Sequence, residues 1–137
     1  REKFGNHFDI RVDANTGYSL EQLKMFLERT KSLEIELVEQ PMLPGMEDEL
    51  LKLPPEQREK LAADESLKDA RSALSLASTK SYGIFNIKLM KCGGLKGAFE
   101  IANIAQQARI SLFWGCNDES IVSITAALHA AYACANT

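Results

Sequence analysis

Four polar residues recur at nearly one interval along this chain. Asp13, Glu39, Asp64 and Lys88 lie 26, 25 and 24 residues apart, and each closes a short apolar run. The run before Glu39 is typical: Ile35, Leu37 and Val38 suit a sheet interior, and Pro41 stops the strand two residues later. A carboxylate beside buried apolar neighbours is costly unless a cation or hydrogen bonds compensate it. A chain that repeats this placement must supply partners for its acids.

Between these positions strands and helices alternate. Apolar runs predict strands over 8–15, 35–41, 61–66, 83–91 and 110–117, with helical periodicity over 19–33, 67–77, 95–109 and 121–135. Ser19 and Gln22 match a capping box that starts the first helix, and Leu20, Leu23, Phe26 and Leu27 share its apolar face. Ala98, Ile101, Ala102 and Ala105 do the same for the third. Pro44, Gly45, Pro54 and Pro55 break the segment after the second strand into short pieces, and "PEQREKL" reads as a solvated helical turn.

Strand and helix in alternation mean parallel strands joined by helical crossovers, in either an open doubly wound sheet or a barrel. The spacing decides between them. An open sheet spreads five strand ends over roughly 19 Å at about 4.8 Å per strand, whereas a barrel curves them around one point. The predicted fold is α/β, a partial (β/α) TIM-type barrel of about five consecutive βα units. Three carboxylates brought together would repel one another unless a cation neutralised them, and an all-oxygen set suits Mg2+ or a similar hard ion.

Composition narrows the partners. Acids and bases are interspersed at a net charge of -3, which gives neither a basic face for nucleic acid nor a polybasic membrane signal. The run from 121 to 135 is too short and too polar to span a bilayer and reads as a buried helix, with His129 packed inside it. Cys92, Cys116 and Cys134 form no C-x-x-C pair and read as reduced thiols of a cytoplasmic protein. "KCGGLKG" matches no phosphate-binding motif, so Gly93 and Gly94 read as a tight strand-to-helix turn. Arg1 in place of an initiator methionine, and an end directly after a helix, read as a fragment. Its open edges predict a homo-oligomer.

Strand alternation puts Asn86, Lys88 and Met90 on one face and Phe85, Ile87, Leu89 and Lys91 on the other, so Lys88 points inward while Lys91 sits in the following turn. Phe113 and Trp114 read equally as core or as pocket wall.

The stretches "RVDANTGYS", "ELVEQP", "ADES", "NIKLMKCGGL" and "FWGCNDES" resemble, in order and separation, the strand-end motifs of the enolase superfamily barrel. The resemblance is to the mandelate racemase/muconate-lactonising subgroup, and the wording of the last two is most similar to dipeptide (Ala-Glu type) epimerases. The resemblance implies that residues 1–137 are a fragment of the C-terminal barrel domain, with the N-terminal capping domain and the remaining barrel units outside the chain. It implies Asp13, Glu39 and Asp64 as ligands of Mg2+, with Mn2+ as the other candidate ion, and Lys88 as an acid/base residue. Asn15 and Gln40 would orient the carboxylates, and Glu119 would touch the base or the substrate.

The implied reaction is removal and return of a proton next to a carboxylate, through an enolate that the metal stabilises, on a small carboxylate substrate such as a dipeptide. Lys88 must be neutral for part of that cycle, and burial together with the metal's charge is expected to lower its pKa. Muconate cycloisomerase or o-succinylbenzoate synthase chemistry uses the same enolate, and a non-catalytic metal-binding fragment is the alternative outside enzymes.

Overall fold

The computed structural model describes residues 2, 3, 5 and 7–137. Five strands form one parallel sheet: β1 (Ile10–Asp13), β2 (Ile35–Glu39), β3 (Leu61–Ala63), β4 (Ile84–Ile87) and β5 (Ser111–Trp114). Their order in space is their order in sequence, each hydrogen-bonded to the next. A doubly wound sheet reverses direction at a switch point, and this one does not. The sheet also curls. The Arg11 guanidinium of β1 lies 5.1 Å from the centroid of the Phe113 ring on β5, so the outermost strands face each other across an interior. This is part of a barrel wall, as the spacing predicted.

The crossovers carry the helices α1 (Leu20–Arg29), α2 (Glu47–Leu50), α3 (Pro55–Arg58), α4 (Ala70–Thr79), α5 (Leu89–Cys92), α6 (Leu95–Ala108) and α7 (Ile121–Ala133). Ser19 and Gln22 form the expected capping box at α1, and Asp69 with Ser72 forms a second at α4. Ala98, Ile101, Ala102 and Ala105 of α6 are all buried. They join Leu23, Val38, Leu61, Ala63, Leu76, Phe85 and Ile87 in one core between helices and sheet. All three residues of β3 are buried, as befits a strand covered on both faces.

Three sequence-based expectations are corrected. The fourth strand ends at Ile87, not at residue 91, because the chain folds from Lys88 into α5, with the amides of Lys91 and Cys92 donating to the Lys88 carbonyl. Gly93 and Gly94, both at φ +84, then let the backbone turn into α6. The segment 121–135 is not a buried helix: α7 ends at Ala133, and Ile121, Val122, Ile124, Leu128 and Tyr132 are exposed, because within this chain it packs chiefly on β5, α5 and α6 along one side. His129 is consequently exposed rather than packed. Among the described residues no helix is long and apolar enough to cross a membrane.

Candidate active site

The four in-phase residues stand at or just beyond the C-terminal ends of successive strands. Asp13 and Glu39 are the last residues of β1 and β2 and are register partners. Asp64 follows β3 directly and Lys88 follows β4. Glu39 and Asp64 are buried, and Asp13 is exposed. Lys88 Nζ lies 2.6 Å from Asp64 Oδ2 and 3.8 Å from Glu39 Oε1, so it joins two of the three carboxylates.

Lys91 reaches the same place, contrary to the alternation argument. The helical turn of α5 swings its side chain inward, where Nζ pairs with Asp64 Oδ1 and donates to the Asp64 carbonyl at 2.6 Å. Asp64 therefore receives an ammonium on each carboxylate oxygen.

The electrostatics follow from this crowding. Burial pushes the Glu39 carboxyl above its ordinary range; the Asn86 hydrogen bond opposes that, and the charges of Asp64 and Asp13 add to it. Burial acts in the same sense on Asp64, but the hydrogen bonds from Lys88 and Lys91 outweigh it and hold this carboxyl low. Burial opposes the charge on Lys88, yet its pKa is raised, because the Asp64 hydrogen bond and the Asp64 and Glu39 charges prevail. The protein's own groups thus act on Lys88 opposite to expectation. For Lys91 burial wins and the pKa is lowered.

Asp13, Glu39, Asn86 and Lys88 line a cavity of about 510 Å³. Phe113 and Trp114 of β5 both border it, and Trp114 also packs against the hydrophobic core. The wall continues through Gly115 and Cys116 to the inner side of α7. A Cβ on Gly115 would stand 2.6 Å from Asn86 Oδ1 and 3.0 Å from Lys88 Cε, so glycine is what lets these two side chains lie across β5.

The supporting residues are only partly those expected. Asn15, at φ +44, donates its backbone N–H to Asp13 Oδ1 at 2.8 Å, and so orients that carboxylate with its main chain. Gln40 is completely buried and bonds the amides of Asp64 and Ser66. Glu119 turns to the first turn of α7, accepting from the Ser123 hydroxyl and from Asn117 N. Sequence reasoning gave Asn86 no role, although it had placed the residue on the face of Lys88. Asn86 Nδ2 donates to Glu39 Oε1 at 2.6 Å, and among the described residues its own buried Oδ1 has no hydrogen-bond partner.

The donor chemistry fits a hard divalent cation: carboxylates from three neighbouring strand ends, near enough for Asp13 and Asp64 to raise the pKa of Glu39. Among the described residues no three Asp, Glu, His or Cys side chains are gathered as a ready-made metal cage. Asp64 is instead engaged by the two lysines.

Parallel strands taken in chain order and curled around a mouth of acids and lysines define part of a β/α barrel. The chain belongs to the enolase C-terminal domain-like family, whose model matches residues 1–137. It is 48% identical over 132 residues to the L-Lys-D/L-Arg epimerase of Desulforapulum autotrophicum, an alignment covering 96% of this chain and 37% of that protein. The crystal structure of a dipeptide epimerase from Methylococcus capsulatus, complexed with Mg and the dipeptide L-Arg-D-Lys, matches with a TM-score of 0.95 at 48% identity, over 99% of this chain and 39% of that one. A dipeptide epimerase from Enterococcus faecalis, complexed with Mg and L-Leu-L-Tyr, matches with a TM-score of 0.90 at 35% identity, over 99% and 39%. The chain spans a little over a third of the length of these relatives.

Proposed function

We propose that the protein carrying this chain is a Mg2+-dependent dipeptide epimerase, an isomerase that inverts a carbon next to a carboxylate. The observation that carries this reading is the position of Lys88 Nζ, at the cavity wall and within reach of both Asp64 and Glu39. The substrate in this reading is a dipeptide bearing a cationic Lys or Arg side chain, which is supported by the L-Lys-D/L-Arg epimerase and the L-Arg-D-Lys complex among the relatives. Residues 1–137 form part of the C-terminal barrel domain, with a capping domain and the remaining barrel units supplied elsewhere in the protein.

Asp13, Glu39 and Asp64 would hold the metal, with Asn86 and Asn15 fixing one oxygen each of Glu39 and Asp13. Bound Mg2+ supplies positive charge against the negative charge that develops on the substrate carboxylate. Lys88 takes the proton from one face of the adjacent carbon in its neutral form, which the Asp64 and Glu39 charges oppose until a cation engages those carboxylates: the C–H bond breaks, its electron pair moves toward the carboxylate, and an N–H bond forms. Return of a proton to the opposite face, by a group outside this chain, inverts the centre. Phe113 and Trp114 keep that side of the cavity apolar.

The test is solvent deuterium exchange at the α-carbon of L-Arg- and L-Lys-containing dipeptides by the full-length protein, with and without a chelator. Mg2+-dependent exchange is expected. A full-length protein that shows no exchange with any such dipeptide would overturn the proposal.

A further inference from the structure

Every polar group of Gln40 is engaged, although the residue sits at a backbone angle that L residues rarely adopt. Its φ is +32, in the left-handed region, a conformation costing about 1 kcal/mol or more that persists only where the surroundings hold it. Its N–H donates to the Ala62 carbonyl at 2.8 Å, and its carbonyl accepts from Thr16 N at 2.7 Å. The side chain passes under the end of β3, where Oε1 accepts from Asp64 N at 2.9 Å and from Ser66 N at 3.2 Å. On the other side Nε2 is within hydrogen-bond distance of Met42 O at 2.7 Å, Ser66 Oγ at 2.9 Å and Tyr82 Oη at 3.2 Å. Ser66 Oγ donates onward to Glu47 Oε1 at 2.6 Å, tying in the loop that follows β2.

Asp64 needs such support. The ladder of β3 ends at Ala63, so the next amide has passed the last strand residue and is held by the Gln40 side chain instead. Two lysines pull on its carboxylate, and a shift of about 1 Å in a reacting or ligating group is enough to change a site's efficiency severely. We propose that Gln40 is a positioning residue for Asp64, its Oε1 fixing the Asp64 main chain so that the carboxylate meets Lys88 and a divalent cation at one point. The cation in this statement rests on the proposed function; the placement of Asp64 does not.

The alternative is that Gln40 only staples two loops together, and the two roles separate by experiment. Wild type, Gln40→Met and Gln40→Glu are compared as full-length proteins by two readouts. One is hydrogen exchange of the Asp64 and Ser66 amides relative to the ladder amides of β3; the other is the Mn2+ dissociation constant from electron paramagnetic resonance. Q40M removes the oxygen that faces Asp64 N, so exchange there should quicken about tenfold or more and Mn2+ should bind about 10- to 100-fold more weakly, the usual effect of losing a partner behind a metal ligand.

Q40E keeps that oxygen, so it should retain protection at Asp64 and a Mn2+ constant within about threefold of wild type, even with a lowered Tm. Should Q40M not fold, Gln40→Asn, one methylene too short to reach, carries the same expectation. Wild-type protection at Asp64 in Q40M, or a loss in Q40E as large as in Q40M, would overturn the proposal. A wild-type protein that binds no Mn2+ would overturn the metal reading of the site, and the amide exchange by itself then decides for or against Gln40.

Discussion

Arg11 and Phe113 touch across the interior of the sheet, guanidinium over ring at 5.1 Å, although one stands on the first strand and the other on the fifth. Four steps of a flat sheet would hold these strands roughly 19 Å apart. The contact therefore reports the curvature that gathers the strand ends, and the consequences of that gathering can be measured.

Lys88→Ala should lower epimerisation by the full-length protein by about 10²- to 10⁴-fold, the usual worth of a positioned acid or base. Mn2+ binding should survive, since the three carboxylates stand at the ends of other strands. Turnover assays with a metal titration check both. Unchanged turnover would remove Lys88 from the chemistry and direct attention to Lys91, which contacts Asp64 from α5.

Gly115→Ala should disturb the site from just beyond the end of β5. The added methyl would meet Asn86 Oδ1 at 2.6 Å and Lys88 Cε at 3.0 Å, and both must move to admit it. Overpacking of this kind costs about 1–3 kcal/mol. Chemical denaturation should show that loss, with activity falling further than stability because the displaced groups are Lys88 and the partner of Glu39. A variant of wild-type activity would show that Lys88 has freedom the packing does not suggest.

Tyr82 gives a pH dependence with a definite sign. Burial is the main cause of a phenol pKa pushed up to about 12, against about 10 in the unfolded chain. A raised folded-state pKa means that this contribution is complete below about pH 10 and is lost as pH rises toward 12, amounting to about 2–3 kcal/mol. Tyr82→Phe should abolish that part of the alkaline loss while leaving neutral stability nearly intact, because Gln40 Nε2 keeps Met42 O and Ser66 Oγ as acceptors. Parallel wild-type and Y82F denaturation curves from pH 9 to about 12 would contradict the assignment.

The 137-residue chain by itself should self-associate. Among the described residues strand β1 has one strand neighbour, and α7 exposes Ile121, Val122, Leu128 and Tyr132. The other edge is less open than strand counting suggests, since Asn136 O accepts from Leu112 N at 2.7 Å and Asn136 Nδ2 donates to Ile110 O at 3.0 Å. Association is therefore expected through β1 and α7 rather than through β5. Sedimentation at rising concentration measures it, and a monomer across a wide range would show that these surfaces tolerate water.

The local features of this protein were legible in its residues because their causes are local. The Ser19–Gln22 capping box involves partners three positions apart, and the face made by Ala98, Ile101, Ala102 and Ala105 follows from helical periodicity. The phase of Asp13, Glu39, Asp64 and Lys88 is likewise a property of repeat length, and it carried the parallel order of strands and the barrel. Where a continuing apolar run met a change of backbone state the reading failed. "NIKLMK" alternates well enough to pass for strand, and the turn at Lys88 that brings Lys91 to Asp64 depends on two glycines and on packing against α6 and α7.

The sequence by itself determined which residues stand at the strand ends and in what order, since spacing and alternation act along the chain. Only the tertiary structure decided what those residues touch. Gln40 finds Ser66 and Tyr82 at 26 and 42 positions' distance, and Asn86 finds Glu39 at 47. Such bonds are selected by the curvature and register of the sheet, which bring together buried polar groups that would be costly to leave unpaired. No periodicity in the chain encodes them, because they exist only once neighbouring strands have been brought side by side.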